Sequence, residues 1–182
     1  MNIIVRTASG ATYCRPDTTW ERENKDLFVP DDVAAYRYAP VLFARISKAG
    51  KCVSEKFAGR YYDSIGFGVL LYVGNDLATG SCHDHTSILP TPLKEKAGLD
   101  DNALTCSFKM DDKLIFDTIL EGCADMICKA ISEASKIVSM RIGDYIAIEL
   151  QQMMELTERE KQSRHLSADM DGESLFDFNM VF

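Results

Sequence analysis

The chain has 182 residues, 46% of them hydrophobic and 26% charged, with a formal net charge of -8. That length fits one domain, and 5 Pro with 11 Gly exclude a disordered, collagen-like or low-complexity chain. The acidic balance leaves no basic stripe for phosphates, so nucleic acid and anionic membranes are not expected as partners.

Residues 3–5 open a strand, the small and polar stretch 7–12 turns the chain, and a second strand runs through Tyr13 and Cys14. Residues 15–18 (RPDT) carry turn chemistry, and 26–30 (DLFVP) give a brief strand closed by Pro30. Residues 41–46 (VLFARI) read as a core strand with Arg45 as the one charge. Ser54 is placed to cap a short helix ended by Gly59. The run 65–73 (IGFGVLLYV) predicts a strand whose Gly66 and Gly68 are approached closely by another backbone. Residues 75–103 lack a sustained period and read as loop.

Asp111 and Asp112 form a two-residue turn between two extended runs, which predicts a β-hairpin over 105–120. Apolar residues then recur at helical spacing from Met126 to Val138, predicting one main amphipathic helix over about 124–139 that packs on a sheet. Residues 145–150 (YIAIEL) are a strand, with Glu149 expected on its solvent face. Residues 151–162 read as a weakly patterned helix, and Asp171 with Gly172 turns the chain into a final strand. Residues 151–182 hold seven acids against three bases and read as an acidic C-terminal extension of a single domain spanning 1–182. No internal repeat is visible along the chain.

Six cysteines without a CxxC pair fit reduced thiols, and the first ten residues carry neither a secretory nor a transit signal, so the cytoplasm is the expected compartment. His83 and His85, with Cys82 and Asp84, are the densest set of candidate metal ligands, and alternation on an extended segment would put both rings on one side. Without a distant fourth ligand they do not make a zinc site. No GxSxG, HExxH, P-loop or dinucleotide fingerprint is present, so the residues alone define no catalytic centre.

Three stretches in order, 15–30 (RPDTTWERENKDLFVP), 41–69 (VLFARISKAGKCVSEKFAGRYYDSIGFGV) and 140–148 (MRIGDYIAI), resemble the fumarylacetoacetate hydrolase family. Its short bacterial members carry KPDT with a turn ending in IP, a strand ExELVVRIxKxGKxI, the segment RYYDxIGxGxD, and a late FTLKIGD followed by TGTP. The resemblance covers residues 13–150 and implies a β-rich α+β fold, a mixed β-sheet sandwich or roll with short helices beside the main one, often as a dimer. It also implies a Mg²⁺ or Mn²⁺ that chelates an acylpyruvate or β-diketone while a His-Glu pair activates water.

Aligned on that pattern, the metal ligands fall at Ala39, Val41 and Leu70, none of which can hold a hard cation. The NYxxHxxE segment is missing, the KPDT lysine is Arg15, and TGTP is replaced at Ile148, Glu149 and Leu150. The expectation is a non-catalytic relative without a metal cofactor. Its role would be structural, regulatory or small-molecule binding, as a homodimer or as the partner of a paralogue. The alternative is an active hydrolase or isomerase for acylpyruvate or β-diketone substrates, its site relocated to a cleft of Arg15, Asp17, His83 and His85 with Asp84.

Overall fold

The computed structural model describes residues 1–74, 76–98, 103–158 and 163–182. In chain order the elements are β1 (Asn2–Arg6), β2 (Thr12–Pro16), β3 (Trp20–Glu21), β4 (Leu27–Phe28), β5 (Ala35–Ile46), α1 (Glu55–Ala58), β6 (Tyr62–Val73) and α2 (Leu77–Gly80). There follow β7 (Ser87–Ile88), β8 (Lys94–Glu95), β9 (Leu104–Met110), β10 (Lys113–Leu120), α3 (Cys123–Ile137), β11 (Tyr145–Glu149), β12 (Met154–Glu158), β13 (Arg164–Met170) and β14 (Glu173–Val181).

One sheet runs β2-β1-β11-β5-β6-β7-β3, with β12 pairing β5 and β8 pairing β6. Its spine is the antiparallel pair of the twelve-residue strands β5 and β6, whose length follows from two long apolar runs buried on both faces. Glycine is required at 68, because a Cβ there would sit 2.4 Å from the Ile88 carbonyl oxygen of β7. The larger core lies between this sheet, α3 and the second sheet, and it holds Ile4, Leu42, Phe67, Phe108, Ile131 and Phe176. Among the described residues no helix is long and apolar enough to cross a membrane, and all six cysteines are free.

The second sheet is ordered β10-β9-β13-β14-β4. Contrary to the reading of the sequence, it contains an internal repeat with an offset of 60 residues. Hairpin β9–β10 pairs Lys113 with Met110, Phe116 with Phe108 and Asp117 with Ser107; hairpin β13–β14 pairs Glu173 with Met170, Phe176 with Ala168 and Asp177 with Ser167. Ile115 in one and Leu175 in the other are the extra residues of equivalent β-bulges. Both turns have positive φ at their two central residues, 50° and 62° at Asp111 and Asp112, 53° and 78° at Asp171 and Gly172, the type I′ pattern. Phe108 opposes Ala168 where β9 meets β13, so a pseudo-two-fold axis passes between them.

The turns are held reciprocally. The Asp111 amide donates to the His165 carbonyl and the Asp171 amide to the Thr105 carbonyl, both at 2.8 Å. In return the His165 and Thr105 amides each donate to the opposite aspartate Oδ1 at 2.9 Å. Arg164 pairs with Asp111 and Lys94 with Asp171. The His165 amide, with Arg164 adding to it, holds the Asp111 carboxyl below the ordinary carboxylate range. At Asp171 burial pushes the other way but is outweighed by Lys94 and the Thr105 amide, and that carboxyl is lowered too.

A depressed carboxyl pKa contributes stability that is present above its unfolded value and lost as pH falls through the folded one. Stability is therefore expected to decline below about pH 4. The double variant Asp111→Asn/Asp171→Asn, which keeps residues tolerant of positive φ, should be less stable at pH 7 and lose less on acidification. Urea midpoints at pH 7 and pH 3 measure both effects.

Several local expectations change. Residues 151–158 form no helix; Met154–Glu158 is a strand paired with β5 from Ala35 to Tyr38, and 159–162 lie outside the described residues. With β13 and β14, the expected extension thus supplies strands to both sheets. Of the predicted loop 75–103, residues 75 and 99–102 lie outside the described residues, and the rest holds α2, β7 and β8. Ser54 stands at the N-cap of α1 without a side-chain cap hydrogen bond. Glu149 is buried, for reasons that lie in the site.

Candidate functional site

Two places gather chemistry-bearing positions: one face of the β5–β6 spine and a surface cleft beside β3. On the spine Ala39 lies directly opposite Leu70, and Val41 lies between Gly68 on β6 and Glu149 on β11. Opposed residues share a face, so Ala39, Val41 and Leu70 are brought together. All three are fully buried, in a second apolar cluster with Ile3, Val5 and Phe43. Tyr145 stands edge-on to Phe43 at 5.6 Å between ring centres, and Trp20 packs on Tyr145 at 5.2 Å.

Methyl, isopropyl and isobutyl groups offer a cation no oxygen, and a hard divalent ion requires several. The residues present do not fit Mg²⁺ or Mn²⁺. The remaining carboxylate on this face, Glu149, is already engaged: Oε1 accepts from the Tyr72 hydroxyl at 2.6 Å and Oε2 from the Ala8 amide at 3.0 Å. Since the Tyr72 proton goes to Glu149, the Tyr13 hydroxyl donates to Tyr72 at 2.6 Å. Burial pushes the Tyr13 phenol up to about 12. It raises Tyr72 as well, with Tyr13 and Glu149 adding to the effect, so both rings stay neutral at ordinary pH.

Arg15 extends this network and is itself fully buried. Its Nη2 donates to the Leu71 carbonyl at 2.8 Å and to the Thr86 hydroxyl at 2.6 Å, and its guanidinium lies 4.9 Å above the Tyr72 ring. Nε and Nη1 meet no hydrogen-bond acceptor among the described residues. Desolvation pulls the guanidinium below its ordinary pKa, and the nearby Tyr13 and Tyr72 offset part of that cost.

The second place is a cavity of about 800 Å³ lined by Glu21, Lys25, Phe28, Tyr36, His83 and His85, among others including Asp84. Residues 83–85 form a turn rather than an extended segment, and His85 has φ 58°, so strand alternation does not set the two rings. His85 Nδ1 lies 2.9 Å from Glu21 Oε2, while Glu21 Oε1 accepts from the Glu23 amide at 2.7 Å. Asp17 stands outside this cavity, in an adjoining depression of about 450 Å³ that shares Glu21 and His85 with it.

The structure therefore joins His83 with His85, puts Asp17 next door, and leaves Arg15 lining neither cavity. Glu21 was not singled out from the sequence. It sits in a polar run, and its partner is 64 residues away. Among the described residues no three His, Cys, Asp or Glu side chains converge to hold a metal ion.

No model of a protein family matches the sequence, and no curated protein matches it. Solved structures do. A fumarylpyruvate hydrolase from Pseudomonas aeruginosa, in complex with Mn²⁺ and pyruvate, is 13% identical with a TM-score of 0.83, over 100% of this chain and 90% of that one. A maleylpyruvate hydrolase from Sphingobium sp. SYK-6 is 14% identical with a TM-score of 0.79, over 99% of this chain and 70% of that one. A Yersinia pestis CO92 protein described as belonging to the fumarylacetoacetate hydrolase family is 15% identical with a TM-score of 0.78, over 99% and 92%. This chain has the β-rich α+β fold of those proteins.

Proposed function

We propose that the chain is a divergent member of the fumarylacetoacetate hydrolase family that does not carry out metal-dependent carbon-carbon bond hydrolysis. In this reading it acts as a structural or regulatory subunit, as a homodimer or with an active paralogue, or as a binder of a small molecule at the cleft of His83 and His85. The observation that carries this is the closed apolar contact of Ala39, Val41 and Leu70, where the resemblance puts three carboxylates. The fumarylpyruvate hydrolase of like fold is known in complex with Mn²⁺; here the side chains of Ala39, Val41 and Leu70 carry no donor atom.

Calorimetric titration of chelator-treated protein with Mn²⁺ should give no heat above dilution. Saturable one-to-one binding would overturn the proposal and return acylpyruvate cleavage to first place. The second reading, an active hydrolase or isomerase with a relocated site, is favoured by one observation, the His85–Glu21 contact beside His83. Turnover of an acylpyruvate that fell with His85→Ala would establish it.

A further inference from the structure

The pseudo-two-fold axis makes the two outer edges of the second sheet equivalent, yet among the described residues a strand covers only one of them. On the β14 edge lies the segment of residues 24–29. Asn24 Oδ1 accepts from the Asp177 amide at 2.6 Å and Asp26 Oδ1 from the Asn179 amide at 2.8 Å. Leu27 and Phe28 then pair in parallel with Met180 and Val181, and the Val29 amide donates to the Val181 carbonyl at 2.8 Å.

The offset of 60 residues places Asp117 and Ile119 where Asp177 and Asn179 stand. Asp117 opposes Ser107 and Ile119 opposes Thr105, as Asp177 opposes Ser167 and Asn179 opposes His165. In an antiparallel ladder alternate residues direct their amides away from the partner strand, so the equivalent register aims the Asp117 and Ile119 amides outward. Among the described residues β10 pairs with β9 alone. Its edge is also more apolar: Ile119 is 65% exposed and Leu114 48%, where β14 carries Asn179 and Ser174. Open amides beside exposed apolar side chains are what native sheets ordinarily cover, charge or twist away.

We infer that the outer edge of β10 is a strand-addition site for an extended peptide segment of a partner protein. That segment runs parallel to β10 and carries Asn or Asp at two positions two residues apart, followed by apolar residues. Its chemistry is that of the segment seated on the symmetry-equivalent edge. The two side-chain oxygens take the outward amides of Asp117 and Ile119, and the apolar residues continue beside Leu120 and Glu121, the positions equivalent to Met180 and Val181. This site is independent of the Ala39 face and of the His85 cleft, so it holds whichever reading of those is correct.

The test titrates the full chain with a synthetic peptide of residues 24–30 (NKDLFVP), read by fluorescence anisotropy and by amide hydrogen exchange. The expected result is saturable binding that slows exchange at Asp117 and Ile119 and leaves Asp177 and Asn179 unchanged. A peptide with alanine at both acceptor positions should bind at least about tenfold more weakly, for the loss of two hydrogen bonds. In the protein Ile119→Pro should abolish binding, because proline removes an outward N–H and spares the ladder to β9. Ile119→Lys, which keeps the amide and discourages pairing, should weaken binding with thermal stability retained. Absent binding, protection confined to Asp177 and Asn179, or dimerisation of the chain through paired β10 edges would each overturn the inference.

Discussion

Ala39→Glu is expected to unfold the protein or to cost more than about 4 kcal/mol, read as a collapse of the urea midpoint. The methyl of Ala39 is fully buried opposite Leu70, in a face closed by Val41 and Phe43. A glutamate there must overpack that contact and bury a carboxylate among apolar neighbours. The substitution adds an unpaired acid to that apolar cluster. Unchanged stability would show that the face is open and would weaken the non-catalytic proposal with it.

Tyr72→Phe is the second large loss, about 3 kcal/mol, or roughly 6–12 °C in Tm for a chain of this length. The change removes one oxygen that serves two partners, leaving Glu149 Oε1 without a donor and the Tyr13 hydroxyl without an acceptor. Stranding buried polar groups costs more than a typical hydrogen bond contributes. A double variant Tyr72→Phe/Glu149→Leu should recover part of the loss, because it removes the carboxylate that the first change strands. Thermal melts of the three proteins decide the matter.

Features set by neighbouring residues were legible in the sequence. The aspartate pair and the Asp-Gly pair mark the two hairpin turns, the spacing from Met126 to Val138 marks α3, and Gly68 marks the close approach of the β7 backbone, whereas Gly66 makes room for the Phe43 ring and not for a backbone. The family resemblance located Ala39, Val41 and Leu70, which the backbone register then set side by side. Distant partners were not legible. Glu149 is drawn inward by Tyr72 and Ala8, 77 and 141 residues away, and β12 is a strand because the end of β5 offers it a ladder. The repeat is faint in the sequence because its halves share mainly Ser, Met, Asp, Phe and Asp at 107/167, 110/170, 111/171, 116/176 and 117/177. What repeats is register and turn geometry.

The paired hairpins also order the assembly of the chain. Each closes over a two-residue loop, a local contact of the kind that forms on a microsecond scale. Joining β9 to β13 closes a much longer loop containing α3 and β11, and contacts of such separation slow folding. Each aspartate turn is completed by an amide of the opposite hairpin, so that docking step, rather than either turn, is where the second sheet commits to its final form.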